Sequence, residues 1–159
     1  MTQLTHVDDS GKARMVDVSG KAVTERVARA RGAITMGAST LELIRRNQIA
    51  KGDVLGVARV AGIMAAKRTS ELVPLCHPIG LSDVQVDLSL DDSLPGVRVE
   101  VTAKTAAQTG VEMEAIVGVS VSLVTLYDMV KGVDMHMEIG QISVVEKRGG
   151  KSGDWVRDK

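Results

Sequence analysis

The chain has 159 residues, 44% hydrophobic and 25% charged, a size and composition that suit a single domain over 1–159 with about two-thirds of its unfolded surface buried. Lys plus Arg and Asp plus Glu stand at 20 each, so bulk charge draws the chain neither to nucleic acid nor to an anionic membrane. With no Phe, one Tyr and one Trp, it has almost no aromatic surface on which bases could stack, and no nucleic-acid partner is expected.

The single cysteine, Cys76, excludes an intrachain disulfide. No signal-peptide pattern marks the polar start MTQLTHVDDSGKAR, and no apolar run of about 18 residues suggests a membrane span. A cytoplasmic protein is therefore expected.

Residues 1–12 are polar and expected to be flexible, and RMVDVS at 14–19 is short and partly apolar. TERVARARGAIT at 24–35 alternates around Val27 as a strand, with Arg29 and Arg31 reading as a solvated edge. STLELIRRNQ at 39–48 reads as a short helix. In KGDVLGVARVAGIMAAKRTSEL, Asp53 is a plausible N-cap, and Val54, Val57, Ala58, Ala61 and Met64 or Ala65 follow helical spacing. That helix is apolar on most sides, so a subunit interface is its expected cover.

VPLCHPI at 73–79 concentrates Cys76, His77, Pro74 and Pro78. In an extended segment adjacent side chains diverge, so Cys76 and His77 are poorly placed to share a metal ion or to act as nucleophile and base. A stiffened pocket wall fits best, with a structural histidine in a tight turn as the alternative. VQVDLSL at 84–90 and VRVEVTAKT at 97–105 alternate strictly around the turn-forming DDSLPG and predict an antiparallel hairpin. VEMEAIVGVSVSLVTLYDMVKGV at 111–133 reads as a second long helix and QISVVEK at 141–147 as a final strand, before a tail from 148 expected to be flexible. This order predicts an α+β fold, a ferredoxin-like antiparallel sheet with helices packed on one face.

The second helix carries Glu112 and Glu114 in its first turn, where the helix dipole alone would favour them. Asp128 and Lys131, three apart, share a face near its other end, as a surface ion pair or in a lined site. Over 14 helical residues Glu114 and Asp128 stand roughly 21 Å apart at 1.5 Å per residue, so one small-molecule site cannot easily use both from one chain. Lys51 precedes the first long helix. Lys147, Arg148 and Lys151 flank the glycines of EKRGGKSG, which fail the P-loop pattern because Val145 stands where glycine is needed but could still hold phosphates.

Together MVDVSGKAVTERVARA, KGDVLGVARVAGIMAAKRTSELVPLCHP, TGVEMEA, LYDMVKGV and GGKSGD resemble the molybdenum-cofactor biosynthesis protein C family of cyclic pyranopterin monophosphate synthases, over nearly the whole chain and in order. The resemblance implies a lyase that rearranges a cyclic dihydroguanosine triphosphate into cyclic pyranopterin monophosphate and releases diphosphate. It implies no metal and no organic cofactor, and a homohexamer built as a trimer of dimers with sites at dimer interfaces. By the same resemblance Asp128 would be the principal acid–base residue, Lys131 its proton partner and Lys51 a second catalytic lysine. Leu75, Cys76, His77, Glu112, Met113 and Glu114 would line the substrate site, and Arg26 and Lys147 would neutralise the triphosphate. Gln108 stands where members often carry a basic residue, and Trp155 has no role that the resemblance supplies.

Overall fold

The computed structural model describes residues 6–158 and has an α+β fold. Its elements are β1 (Thr24–Thr35), α1 (Ala38–Arg45), α2 (Val54–Lys67), α3 (Thr69–Leu72), β2 (Asp83–Asp91), β3 (Gly96–Ala107), α4 (Glu112–Val130), β4 (Glu138–Arg148) and β5 (Trp155–Val156). The strands form one antiparallel sheet in the order β2-β3-β1-β4-β5, which inserts β3 between β1 and β2.

The hairpin forms as its alternation predicts. Val86 faces Val101 and Leu88 faces Val99 across the ladder, and Val97, Val99, Val101 and Ala103 are buried beneath the helices. β1 departs from expectation, because it lies inside the sheet rather than on an edge. Its helix-facing positions are small or aliphatic (Ala28, Ala30, Gly32, Ile34) and let α4 sit close. Arg29 and Arg31 occupy the opposite face, where Arg29 pairs with Glu100 at 3.3 Å and Glu146 at 3.0 Å while Arg31 stays exposed; Arg26, in phase with Ala28, is buried. Charge on alternate positions here marks a sheet covered by helices on one side, not an edge.

α2 and α4 cover that side, antiparallel to each other. Asp53 caps α2 by accepting from the Gly56 N–H at 2.9 Å. Ser122 Oγ donates to the Ala58 carbonyl at 3.1 Å, and Gly62 meets Gly118 one turn further along. A Cβ at Gly62 would lie 2.2 Å from Ser122 Oγ and 3.1 Å from the Gly118 carbonyl, so the crossing distance depends on that missing side chain. α4 is, by length and composition, apolar enough to cross a membrane. In this fold it is the central helix, with Ala115, Val119, Leu123 and Leu126 fully buried. Val57, Val60 and Met64 on α2 and Val124 on α4 remain about half exposed.

β5 pairs Trp155 with Lys147, and the Arg157 guanidinium lies 5.5 Å over the Trp155 ring, so the indole helps fix the end of β4.

Gly62→Ala should lower the unfolding free energy by about 1–3 kcal/mol, the usual cost of overpacking a closed crossing. A urea midpoint at fixed protein concentration measures this, and an unchanged midpoint would contradict the close approach.

Candidate active site

The antiparallel helix pair decides which residues meet. The start of α4 lies beside the end of α2 and the 73–79 turn, and the start of β1 and end of β4 arrive at the same place. A cavity of about 960 Å³ opens there, lined among others by Lys21, Arg26, Gln108, Glu112, Lys147 and Lys151. Four cations thus face one carboxylate. Arg26 is only 9% exposed, forms no ion pair among the described residues, and leaves its Nε without a partner. A buried guanidinium without a counter-charge is a costly arrangement that an arriving anion would relieve. Lys147 Nζ rests 3.0 Å from Glu112.

The glycine-rich tail closes this cavity as a defined turn. The Gly149 N–H donates to Asp154 Oδ1 at 2.9 Å and the Gly153 N–H to the Gly150 carbonyl at 3.2 Å. Gly150 is required twice over: its φ is +84°, and a Cβ would overlap the Arg26 guanidinium.

A second cavity of about 460 Å³ shares Thr109, Gly110 and Glu112 with the first and adds Leu75, Cys76, His77 and Met113. The Cys76 N–H donates to the Val73 carbonyl at 3.1 Å, so residues 73–76 form a turn with Pro74 in its second position, where the sequence suggests an extended run. Cys76 and His77 nevertheless diverge. Cys76 Sγ donates to Glu114 Oε1 at 3.8 Å, and His77 donates from Nε2 to the Val16 carbonyl at 2.7 Å. Burial, and then the neighbouring Glu114, push the Cys76 thiol above its ordinary value, which makes it a poor nucleophile near neutral pH. Glu114 is 3% exposed with Oε2 unpartnered, and burial raises its carboxyl above the usual range.

Lys51, Asp128 and Lys131 meet at the opposite end of α4 and line neither cavity. Lys131 Nζ lies 2.7 Å from Asp128 Oδ1, and Lys51 Nζ lies 3.0 Å from Oδ2 and 2.8 Å from the Asp128 carbonyl. The hydrogen bond from Lys131, followed by that from Lys51, holds Asp128 below the usual carboxylate range. Asp128 in turn raises Lys131, the reverse of the lowering that would suit a proton shuttle. All three side chains are at least half exposed. Because α4 is continuous from Glu112 to Val130, the two groups stay roughly 21 Å apart in one chain. Lys21 and Thr109, which sequence reasoning did not single out, reach the first cavity through turns that only the fold positions.

The chain thus combines an α+β fold with a cationic cavity that shares its wall with a pocket lined by a thiol and a carboxyl. Residues 15–150 match the MoaC family, and the chain belongs to it. It is 58% identical over 154 residues to the cyclic pyranopterin monophosphate synthases of Brucella ovis and Brucella canis, covering 97% of this chain and 93% of theirs.

Glu114 binds its proton more tightly folded than unfolded, so its contribution to stability is present at low pH and is lost as pH rises through the raised folded value. Glu114→Gln should therefore unfold at higher urea than the parent at pH 7–8, and the gap should close as pH falls below about 4. Urea midpoints across that range test it, and a gap independent of pH would contradict it.

Proposed function

We propose that the protein is a cyclic pyranopterin monophosphate synthase of molybdenum cofactor biosynthesis. Its substrate is the cyclic dihydroguanosine triphosphate, whose imidazole ring opens and whose pyrazine ring closes while diphosphate leaves and the remaining phosphate cyclises; this is lyase chemistry. The observation that carries the proposal is the buried Arg26, without an ion pair among the described residues, in a cavity where four cations face one carboxylate, contiguous with a pocket of the size a bicyclic base needs.

In this proposal the triphosphate occupies the larger cavity. Arg26 and Lys147 hold it, with Lys147 exchanging Glu112 for phosphate oxygen. Their charge stabilises the diphosphate as it departs. The ring system lies against Leu75, Cys76, His77, Met113 and Glu114, where the unpartnered Oε2 of Glu114 is available to a ring N–H. Asp128, Lys131 and Lys51 come from a second subunit, because the length of α4 keeps their own chain's copies away.

The half-exposed Val57, Val60, Met64 and Val124 support this assembly as apolar surface in want of a cover. Burial of Asp128 and Lys131 at that contact would penalise both charges and bring their proton affinities together, as acid–base exchange at neutral pH requires. A homohexamer arranged as a trimer of dimers, each dimer holding two such sites, is part of the same proposal. So is the ferredoxin-like assignment, which the strand order β2-β3-β1-β4 supports.

The test supplies the cyclic triphosphate and reads the product by mass together with released diphosphate. Wild type should form one pterin per diphosphate, and Asp128→Asn should lose about 10²- to 10⁴-fold in kcat with an unchanged urea midpoint. Tight binding of the precursor by wild type with no pterin formed would overturn the proposal.

A further inference from the structure

We infer that Gln108 is a positioning residue for the phosphate end of the substrate: it holds the turn that carries Lys21 against the large cavity, so that Lys21 supplies a cation to the phosphates. The inference rests on reading that cavity as the triphosphate site and adds two residues to it.

Gln108 lies in the loop between β3 and α4. Its side-chain Nε2 donates to the carbonyls of Lys21 at 2.9 Å and Ser19 at 3.2 Å. Both partners can only accept, so the amide nitrogen, and not its oxygen, must face them. The turn they belong to is small and self-closed. The Lys21 N–H donates to the Val18 carbonyl at 2.9 Å, and Asp17 Oδ1 accepts from the Ser19 N–H at 2.9 Å.

Residues 16–22 belong to no helix or strand. Upstream, the segment is held by the bond from His77 to the Val16 carbonyl; downstream of that point, Gln108 is the side chain that ties it to the body of the protein among the described residues. Gly20 and Lys21 then line the cavity beside Arg26 and Lys147, and Lys21 forms no ion pair among the described residues.

Gln108 commits its side-chain amide to the turn, and the charge at the cavity arrives on Lys21.

The experiment titrates inorganic tripolyphosphate into the full chain by calorimetry and measures KM and kcat for the cyclic triphosphate, with Lys21→Gln, Gln108→Ala, their double variant and Gln108→Lys. Lys21→Gln and Gln108→Ala should each weaken tripolyphosphate binding on the order of fivefold, as loss of one exposed charge-assisted contact does. The double variant should be no weaker than Lys21→Gln alone, because one residue acts through the other. KM should rise while kcat holds, and Gln108→Lys, which keeps donors facing the two carbonyls, should bind at least as tightly as wild type. Unchanged binding in Lys21→Gln, losses that multiply in the double variant, or a fall in kcat with binding intact in Gln108→Ala would each overturn the inference. The titration decides it whether or not pterin forms, so its failure and that of the synthase proposal are told apart.

Discussion

The crossing of α2 on α4 governs the rest of this molecule. Gly62 and Gly118 let the helices approach, and Ser122 joins them through the Ala58 carbonyl. Their antiparallel alignment brings Lys51 to Asp128 at one end and the 73–79 turn to Glu114 at the other. α4 then acts as a rigid spacer. No rotamer change closes a gap of roughly 21 Å, so charges placed at the two ends serve different sites within one chain.

The two ends also differ in how their charges are satisfied. Asp128 sits between two ammonium groups in a solvated setting, and Asp128 and Lys131 each stabilise the charged form of the other. That is a resting arrangement, in which a proton has little reason to move. Among the described residues, at the cavity end Arg26 is buried without a carboxylate, Glu114 is buried without a cation, and Lys147 has only Glu112. Groups desolvated and left unmatched by their own fold are commonly kept for a ligand. The Glu112–Lys147 pair fits between these extremes, since it keeps a lysine in place that an anion could take over.

Much of the fold was legible because it rests on periodicity. The antiparallel hairpin and its packed face, both long helices, the Asp53 cap and the α+β class all follow from alternation, helical spacing and capping chemistry. β1 was legible as a strand and not as a central one, because Arg29 and Arg31 line the uncovered face and Arg29 pairs with Glu100 and Glu146 on the neighbouring strands, which no local pattern reveals. The turn at 73–76 lay hidden behind two prolines that suit an extended chain equally well. Within the candidate site, the separation of Glu114 from Asp128 was readable from helix geometry alone. The approach of Lys21 through Gln108 was not, since it joins residues 87 positions apart in two loops. Trp155 gained a place only once β5 was seen to return along β4.

The central claim is that a complete site takes its cations and pocket from one subunit and its Asp128 cluster from another. Arg26→Gln and Asp128→Asn, each inactive alone, can be mixed in equal amounts, dissociated and reassembled. Because one orientation in four then unites an intact cavity with an intact Asp128, product formation should recover to about a quarter of the wild-type rate. Activity that stays at the level of the two parents after verified subunit exchange would contradict the account.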